Sequence, residues 1–524
     1  MSLARTAALC ALILWSRPCR LLAQADTTTA HTPLQYDITL VTSDTGSHIL
    51  LEVQTAWRLR TVNPVELQLD STMRVIRVLV DGKPNTRLSR TMYARQGGEV
   101  IVPHEKAPGD TLSTRVRYHG YPAGGIRVGP DQYGDRTLAA TTAGEAARFW
   151  LPVPDGPPGK AALSFHVQAT EGQRVAAPGT LQKIDTLSYG NTTWHYRLDA
   201  PVPLSAIAVA AGPYAVIPLP SVRCPGKCET VAVAAWAYQQ DREFAVRGPF
   251  RRAREMVDYF TGLIGPFPYP GLTHVESTMP GVTPGASVVL YDQAGYRGHT
   301  LDEPPVARAT ARQWFGDAVT PGDSAARVLS DGLAEYLAAL WRGHADGDSA
   351  FRASMRTLAD TARHAVPGAA PVSGAAEAAR GAWIVHQLRG LVGDSGFFRG
   401  LRGYYGSYRD STTSAAELER SMSAATGKEL GWYFRQTLTQ PGYPVVEVHW
   451  KQKGSTLALE LLQTQPREWG AFRVPGLGLL VDGKPVKVDL TGRETRTEVK
   501  DLPGKVKRVE LEEGGWWLVG RHGR

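Results

Sequence analysis

The sequence predicts a multidomain α+β protein in which two β-rich regions enclose a largely helical one. Between about residues 35 and 215, apolar and polar residues alternate, as in YDITLVT and HILLEVQTAWRL, which is the period of half-buried strands. From about residue 240 the apolar period becomes helical, and after residue 444 the alternation returns in VVEVHWKQ and TLALELLQ. A length of 524 residues is consistent with roughly two to four domains.

The first β-rich region is predicted to form an antiparallel β domain over residues 26–215. Its alternating segments are separated by the turn-forming pairs Asp81-Gly82, Gly97-Gly98 and Pro108-Gly109. Later segments, ALSFHVQAT and TWHYRLDA, continue the same alternation. Strands joined by such turns favour an antiparallel arrangement.

A largely helical domain is predicted over residues 216–440. Its first helix would run through DREFAVRGPFRRAREMVDYFTGLIG and end at Gly265, before Pro266. Further helices are predicted over 304–319, 324–343, 350–364, 374–392, 395–406, 414–424 and 428–438. The remaining residues, 441–524, alternate again and are predicted to form a small β-sandwich.

Residues 1–25 have the features of a secretory signal peptide. Arg5 precedes the apolar run AALCALILW, and Ala23-Gln24-Ala25 supplies the small residues of a cleavage site. A disordered tail is the alternative. We therefore expect an exported protein, periplasmic or extracellular. No transmembrane segment is expected after removal of the signal, because no apolar stretch approaches the length of a membrane span.

Composition and cysteine usage narrow the classes of partner. Hydrophobic residues make up 43% of the chain and charged residues 21%, which is a globular balance. The net charge of +8 is spread without a basic run, so nucleic acid is not an expected partner.

Cys224 and Cys228, in CPGKC, are predicted to form a disulfide; a metal site is the alternative, but no second cysteine pair completes it. No feature of the sequence predicts an oligomeric state.

Several segments occur along the chain in the order in which they occur in one enzyme family. ARFWLPVPDGPPGKAALSFHVQA lies in the first domain, PVPLSAIAVAAGPY leads into the second, and LIGPFPYPGLTHVE precedes a glycine-rich stretch. YRDSTTSAAELERSMSAATGKELGWYFRQTLTQPGYP closes the helical region. Together these segments resemble the gluzincin aminopeptidases, peptidase family M1, which include alanyl aminopeptidase and leukotriene A hydrolase. The resemblance implies a thermolysin-like helical domain and zinc-dependent aminopeptidase activity.

The metal-binding motif of that family is altered in this chain. The family carries H-E-x-x-H on a helix and a glutamate eighteen residues later. Two histidines one turn apart share a helix face and bind zinc, while the first glutamate is the general base. Aligned on QWFG (residues 313–316), the histidine positions are Arg308 and Arg312, and the position of the base is Ala309. Eighteen residues separate Arg312 from Asp331, which occupies the position of the third ligand.

Two further functional positions of the family have also lost their chemistry. The family's Gly-x-Met-Glu-Asn segment, whose glutamate holds the substrate amine, corresponds to MPGVTPGAS, which contains no carboxylate. The nearest acidic residue, Glu276, is expected to lie upstream of the site. The tyrosine that stabilises the transition state corresponds to Ala378. The resemblance therefore implies a peptidase frame without its metal ligands, base, amine anchor and oxyanion donor.

The replaced positions predict a cluster of charges in place of the metal. We expect Arg308, Arg312 and Asp331 to form an Arg–Asp–Arg cluster, in which the arginine charge replaces that of zinc. The favoured interpretation is an ion pair that completes a helix interface. The second interpretation is a substrate-binding site for peptides or small anionic ligands.

The sequence therefore favours an exported M1-like protein that is catalytically inactive and that binds peptides or anions or acts as a scaffold. No catalytic residue, no metal and no cofactor is expected. The alternative is an active zinc aminopeptidase with non-standard ligands. A metal-free enzyme of another kind is a third hypothesis, supported only by the presence of a cleft.

Overall fold

The computed structural model describes residues 31–43, 45–84, 94–154, 159–223, 230–365, 374–512 and 514–521. The predicted signal peptide, residues 1–25, and the predicted disulfide between Cys224 and Cys228 lie outside the described residues. Within the described ranges, no helix has the length and apolar character needed to cross a membrane.

Strands dominate the N-terminal region. They are β1 (His31–Thr42), β2 (Ile49–Leu59), β3 (Val65–Gln68), β4 (Met73–Val80), β5 (Lys83–Pro84), β6 (Ala94–Gln96), β7 (Glu99–Val102), β8 (Thr111–Gly120), β9 (Ile126–Pro130), β10 (Arg136–Thr141), β11 (Val153–Pro154), β12 (Lys160–Ala169), β13 (Arg174–Ala176), β14 (Thr180–Thr186), β15 (Thr192–Pro203) and β16 (Ala208–Gly212). They form an eight-stranded sheet in the order β14-β15-β12-β1-β2-β8-β4-β5 and two four-stranded sheets, β13-β16-β10-β9 and β11-β3-β7-β6.

The large sheet has one buried and one solvent-facing side. Ile38 of β1 pairs with Val53 of β2, and both side chains are buried, whereas Asp37 and Thr39 on either side of Ile38 are only partly covered. This alternation is the period of two that the sequence shows. The prediction of a purely antiparallel domain was wrong at one place, because β1 pairs with β12 in parallel. These strands are distant in sequence, so no hairpin fixes their direction.

A second, five-stranded sheet begins the central region. Its strands are β17 (Tyr214–Val222), β18 (Val231–Tyr238), β19 (Gly271–Ser277), β20 (Val282–Pro284) and β21 (Val288–Asp292). Their order is β17-β18-β19-β21-β20, so the short antiparallel strand β20 stands at the edge of the sheet.

Helices make up most of the rest of the central region. They are α1 (Arg242–Arg247), α2 (Ala253–Ile264), α3 (Gln293–Arg297), α4 (Glu303–Arg312), α5 (Ser324–Asp346), α6 (Asp348–Ala362), α7 (Gly374–Val392), α8 (Asp394–Tyr408), α9 (Ala415–Thr426) and α10 (Gly431–Thr439). Two short strands, β22 (Thr320–Pro321) and β23 (Thr412–Thr413), pair in parallel between them. The helices predicted from residue 324 to residue 438 are confirmed, with ends that differ by a few residues.

Two predicted helices differ from the observed ones. The first is two helices, α1 and α2, because Gly248-Pro249 interrupts it. The second ends at Arg312 instead of residue 319, and a tight turn with a bridge between Phe315 and Val319 comes after it. Gly316 in this turn has a φ of 139°, which an L side chain rarely adopts.

Helices α5 and α7 cross at very short range. A methyl group on Gly332 of α5 would lie 2.1 Å from the carbonyl carbon of Gly381 of α7, and one on Gly381 would lie 2.0 Å from the backbone oxygen of Val328. Small residues at a crossing allow two helix backbones to approach closely. This contact fixes the position of α5, on which Asp331 lies next to Gly332.

The C-terminal residues form two sheets around a core of their own. The strands are β24 (Val445–Lys453), β25 (Thr456–Gln463), β26 (Val474–Val481), β27 (Lys484–Leu490), β28 (Glu494–Val499), β29 (Val509–Leu511) and β30 (Gly520–Arg521). They are arranged as β28-β25-β24-β30 and β27-β26-β29. Leu459, Leu461 and Leu479 are among the buried residues of this separate core. The domain boundaries near residues 215 and 440 stay predictions.

Candidate functional site

The residues singled out by the sequence lie on two neighbouring helices. Arg308 and Arg312 are one turn apart on α4, and Asp331 lies on the first half of α5. Asp323 caps the start of α5, where its side chain accepts a hydrogen bond of 2.7 Å from the backbone N–H of Ala326. Helices α4 and α5 pack against each other, and ion pairs join their facing sides.

Charged side chains form a ladder of ion pairs between α4 and α5. Nη1 of Arg312 donates to Oδ1 of Asp331 at 2.5 Å. One turn earlier on α4, Nη1 of Arg308 lies 3.3 Å from Oε1 of Glu335, which is one turn later on α5. Since the numbers run in opposite directions, the helices are antiparallel and the two pairs are parallel rungs. We call these two pairs the arginine ladder.

The expected Arg–Asp–Arg cluster was thus wrong in one member. Arg312 pairs with Asp331, but Arg308 pairs with Glu335, which the sequence analysis missed. The sequence alone could have identified Glu335, because this residue lies four positions after Asp331 and so shares its helix face. Two arginines at this spacing on α4 match two carboxylates at the same spacing on α5.

A third carboxylate approaches Arg312 from its own turn. Oδ1 of Asp317 lies 3.9 Å from Nε of Arg312, and the Asp317 side chain is only 2% exposed. Burial raises the pKa of Asp317 to about 6, although the nearby charges of Arg312 and Lys160 act to lower it. Arg312 therefore stands between one carboxylate on α5 and one buried carboxylate in the turn.

The other charged groups of the ladder are also perturbed by their surroundings. Burial acts to lower the pKa of Arg312, but Asp317 and Asp331 outweigh it, so the net shift is upward. Burial raises the pKa of Glu335, and the charge of Arg308 opposes that shift. Arg308 is the most exposed member, with 44% of its side chain accessible against 31% for Arg312.

The QWFG segment builds the frame beside the ladder. The fully buried Gln313 accepts a hydrogen bond from the backbone N–H of Ser287 at 2.8 Å and donates to the carbonyl of Gly285 at 3.0 Å. Trp314 donates from Nε1 to the carbonyl of Gly265 at 3.1 Å. Gly316 leaves room for Arg312, because a methyl group there would lie 2.7 Å from Cγ of that side chain. This segment therefore fixes α4 against the edge of the sheet and against α2.

A cavity of about 280 Å³ opens beside the ladder. Arg308, Arg312 and Asp331 form its charged side. Its other walls are mainly small or apolar, and they include Val282, Pro284, Ala309 and Ala378. The structure thus brings together the five positions predicted to replace the metal ligands, the base and the oxyanion donor, namely Arg308, Arg312, Asp331, Ala309 and Ala378. The edge strand β20 lies along the same cavity through Val282 and Pro284.

Glu276, the acidic residue nearest in sequence to the position of the family's amine anchor, lies outside the cavity. Glu276 is fully buried; its Oε2 accepts from the backbone N–H of Tyr238 at 2.9 Å, and its Oε1 accepts from Nε2 of Gln132 at 3.1 Å. Burial, followed by the neighbouring Asp241 and Asp131, raises the pKa of Glu276 to about 10. As expected, it does not line the cavity.

The donor set in the cavity does not fit zinc. Zinc is bound by histidine nitrogen, thiolate sulfur or carboxylate oxygen, and a guanidinium offers only donor N–H groups and a positive charge. At the three ligand positions this chain has Arg308, Arg312 and Asp331, and the side chain of Asp331 is already occupied by Arg312. Across the described residues, no three or more His, Cys, Asp or Glu side chains are grouped so as to hold a metal ion.

Sequence comparison with curated proteins finds aminopeptidases. The chain is 23% identical over 402 residues to aminopeptidase N of Streptomyces lividans, a match that covers 67% of this chain and 45% of that protein. It is 23% identical over 333 residues to probable aminopeptidase 1 of Sulfurisphaera tokodaii, covering 58% of this chain and 41% of that protein. The chain thus spans about half of the length of the curated relatives it matches. No family model matches the sequence.

Comparison with solved structures supports the same fold. The M1 zinc metallopeptidase from Deinococcus radiodurans superposes with a TM-score of 0.66 and 22% identity, over 79% of this chain and 95% of that one. Legionella pneumophila aminopeptidase A superposes with a TM-score of 0.79 and 13% identity, over 94% of this chain and 60% of that one. Both similarities include the β-rich N-terminal region and the helical region. The chain therefore has the fold of the M1 zinc metallopeptidases, and its sequence is similar to that of aminopeptidases, among them aminopeptidase N.

Proposed function

We propose that this protein is a non-hydrolytic member of the M1 family that binds peptides in the cavity beside the arginine ladder. The observation that carries the proposal is the 2.5 Å contact between Arg312 and Asp331, which joins two of the family's ligand positions by an ion pair. An arginine stays protonated at any physiological pH, so it serves neither as a zinc ligand nor as a general base. Ala309 and Ala378 have no group that takes or donates a proton.

The cavity retains features that suit an extended peptide. Strand β20 is an edge strand, and edge strands offer backbone hydrogen bonds to an added segment. Relatives of this fold have been solved with L-tryptophan, with L-arginine and with a Tyr-Ser-Ala substrate. By analogy with them, we propose short peptides as ligands.

Arg308 is the side chain best placed to take an anionic group. It is half exposed and its contact with Glu335 is 3.3 Å long, whereas Arg312 is enclosed by Asp331 and Asp317. A peptide carboxylate that reached Arg308 would compete only with the weaker rung of the ladder. A scaffold role without any ligand is the simpler version of the proposal. In either case we propose an exported protein, on the basis of the signal-like residues 1–25.

Metal content and hydrolysis test the loss of activity. The purified protein, incubated with excess zinc and dialysed, is expected to retain no more zinc than its Arg312→Ala variant does, and to leave aminoacyl-arylamide substrates uncut. A variant that restores the family's residues, R308H/A309E/R312H/D331E, is the matched control and is expected to bind one zinc ion in the cavity. Hydrolysis by the unmodified chain that disappears in Arg312→Ala would support the alternative, an active zinc aminopeptidase with non-standard ligands.

Peptide binding is tested separately. Isothermal titration with Tyr-Ser-Ala is expected to give saturable binding that Arg308→Ala weakens about tenfold, the size of one charge-assisted contact of about 1.4 kcal/mol. Arg356→Ala, an exposed arginine on α6, is the control and should leave binding unchanged. Absence of binding at millimolar peptide would leave the scaffold role and reject the binding role.

A further inference from the structure

A row of four ionisable side chains crosses the solvent-facing side of the large sheet. Asp37 lies on β1, His166 on β12, His195 on β15 and Asp185 on β14, and these four strands are neighbours in that order. His166 and His195 are paired directly across β12 and β15. The row lies on the N-terminal sheet, away from the residues that line the cavity described above.

The two imidazoles face each other between two carboxylates. Oδ1 of Asp37 lies 3.1 Å from Nε2 of His166, and Oδ2 of Asp185 lies 2.9 Å from Nε2 of His195. The two Nδ1 atoms are 2.5 Å apart. A carboxylate close to Nε2 favours the tautomer with the proton on Nε2, which leaves a lone pair on Nδ1; Nε2 of His195 lies within reach of Asp185 but has to turn to donate to it. At this distance the two Nδ1 atoms either share one proton in a hydrogen bond or, with both protons on Nε2, can be bridged by a cation.

We infer that His166 and His195 form a binding site for a late first-row transition-metal dication such as Zn²⁺ or Cu²⁺, with the two Nδ1 atoms as ligands. Imidazole is a preferred ligand of these ions, and a ligating histidine commonly donates its other N–H to a carboxylate. Asp37 and Asp185 stand where such partners belong. This site is independent of the proposed peptide-binding function.

Charge and accessibility agree with a bound dication. With neutral imidazoles, the row carries two carboxylates and one cation, Lys183, whose Nζ lies 2.8 Å from Oδ2 of Asp185. The side chains of His166 and His195 are 28% and 17% exposed, so an ion and its water ligands can reach the pair.

The site offers two protein ligands, and water completes the coordination. Two metal–nitrogen bonds of about 2.0–2.1 Å in tetrahedral geometry require the Nδ1 atoms to separate to roughly 3.3 Å, a small rotation for partly exposed rings. The bound ion would join β12 to β15, and Asp185 would extend the link to the edge strand β14.

Zinc titration of the untagged full chain tests this inference. Isothermal titration with ZnCl₂ at pH 7 is expected to show one site, which His166→Asn or His195→Asn weakens at least tenfold. Asp185→Asn is expected to weaken it by roughly 10–100-fold, the usual effect of removing a carboxylate behind a ligating histidine. Zinc is also expected to raise the unfolding temperature of the unmodified chain and not that of the histidine variants.

A second imidazole pair on the same sheet provides the control. His48 and His119 are in contact at 2.9 Å, and the ring of Tyr121 packs against that of His48. His119→Asn should therefore leave the titration unchanged. The inference fails if the chain binds no zinc, if binding survives in both His166→Asn and His195→Asn, or if only His119→Asn abolishes it. Should a histidine variant not fold, Asp185→Asn, on an exposed edge strand, decides the question alone.

Discussion

The guanidinium of Arg312 and the carboxylate of Asp331 meet at 2.5 Å across two antiparallel helices, and Asp317 approaches the same guanidinium from the other side. Removal of Arg312 takes the guanidinium away from both carboxylates, and the buried carboxylate of Asp317 then keeps only its 3.2 Å hydrogen bond from Nε2 of Gln313 among its described hydrogen bonds. Arg312→Ala is therefore expected to lower the free energy of unfolding by about 3 kcal/mol, near the lower end of the range for leaving a buried charge uncompensated, because Asp317 is only 2% exposed.

The matched variant is Arg308→Ala, which breaks the longer pair and removes the more exposed of the two arginines. Its expected cost is below about 1 kcal/mol, as for exposed ion pairs. Urea denaturation of both variants and of the unmodified chain measures the difference. Equal costs for the two variants would contradict the distinction between Arg312, which is close to two carboxylates, and Arg308, which is paired with Glu335.

The raised pKa of Asp317 predicts a pH dependence of stability. In the unfolded chain the carboxyl ionises near its ordinary pKa of 3.8, and in the folded chain near 6. The folded state thus binds the proton more tightly, so the stability that this group contributes is present below pH 3.8 and is lost as the pH rises to about 6. The full loss corresponds to about 3 kcal/mol.

Asp317→Asn isolates this effect. The unfolding free energy of the unmodified chain, minus that of Asp317→Asn, should fall between about pH 4 and pH 6 and stay constant above pH 7. Urea denaturation of both proteins at a series of pH values gives this difference. A difference that rises with pH would show that Arg312 stabilises the carboxylate more than burial destabilises it.

Glu276 gives a second pH signature in a different window. With a folded pKa near 10 it is neutral at pH 7, while in the unfolded chain it ionises near 4.5. Glu276→Gln, which resembles the protonated side chain, is expected to be as stable as the unmodified chain at pH 4 and more stable at pH 8. The difference in unfolding free energy should grow by up to about 1.4 kcal/mol for each pH unit above the unfolded pKa of 4.5.

The control for Glu276→Gln is Glu276→Ala. The alanine variant leaves the backbone N–H of Tyr238 without its acceptor and is expected to be less stable than the glutamine variant at every pH, by about 1–3 kcal/mol. Thermal unfolding at pH 4, 6 and 8 compares the three proteins. A glutamine variant that loses stability relative to the unmodified chain as the pH rises would mean that Glu276 is ionised.

The crossing of α5 and α7 predicts a strong response to one methyl group. Gly332→Ala would place Cβ 2.1 Å from the backbone of Gly381, which forces the helices apart. We expect a loss of about 3 kcal/mol or more, as for overpacked cores. Gly403→Ala on α8 is the control, because nothing lies within 4 Å of its added methyl group, and it should stabilise the protein by up to about 1 kcal/mol. Chemical denaturation measures both.

Periodicity predicted the local elements well and the tertiary contacts poorly. The bounds predicted for α7 are those observed, since its ends are determined by local pattern. The end of α4 was wrong, because the turn after Arg312 is set by contacts of Gln313 with Ser287 and Gly285, far away in sequence. The parallel pairing of β1 with β12 was missed for the same reason.

The candidate site was predicted in its positions but not in its pairing. Counting residues from Arg312 identified Asp331, and the structure joins the two. The partner of Arg308 depends on the direction and spacing of α5 relative to α4. Those quantities depend on tertiary packing, which periodicity does not reveal.

The ladder also limits how this sequence can change. A single substitution of Arg312 by histidine would leave Asp331 and the buried Asp317 facing a weaker partner, and a single substitution of Asp331 would leave Arg312 less well paired. Each first step toward a metal-binding trio therefore lowers stability before a zinc ion can compensate for it. With two matched pairs on facing helices, replacement of these residues by the zinc ligands of the M1 enzymes therefore requires several changes at once.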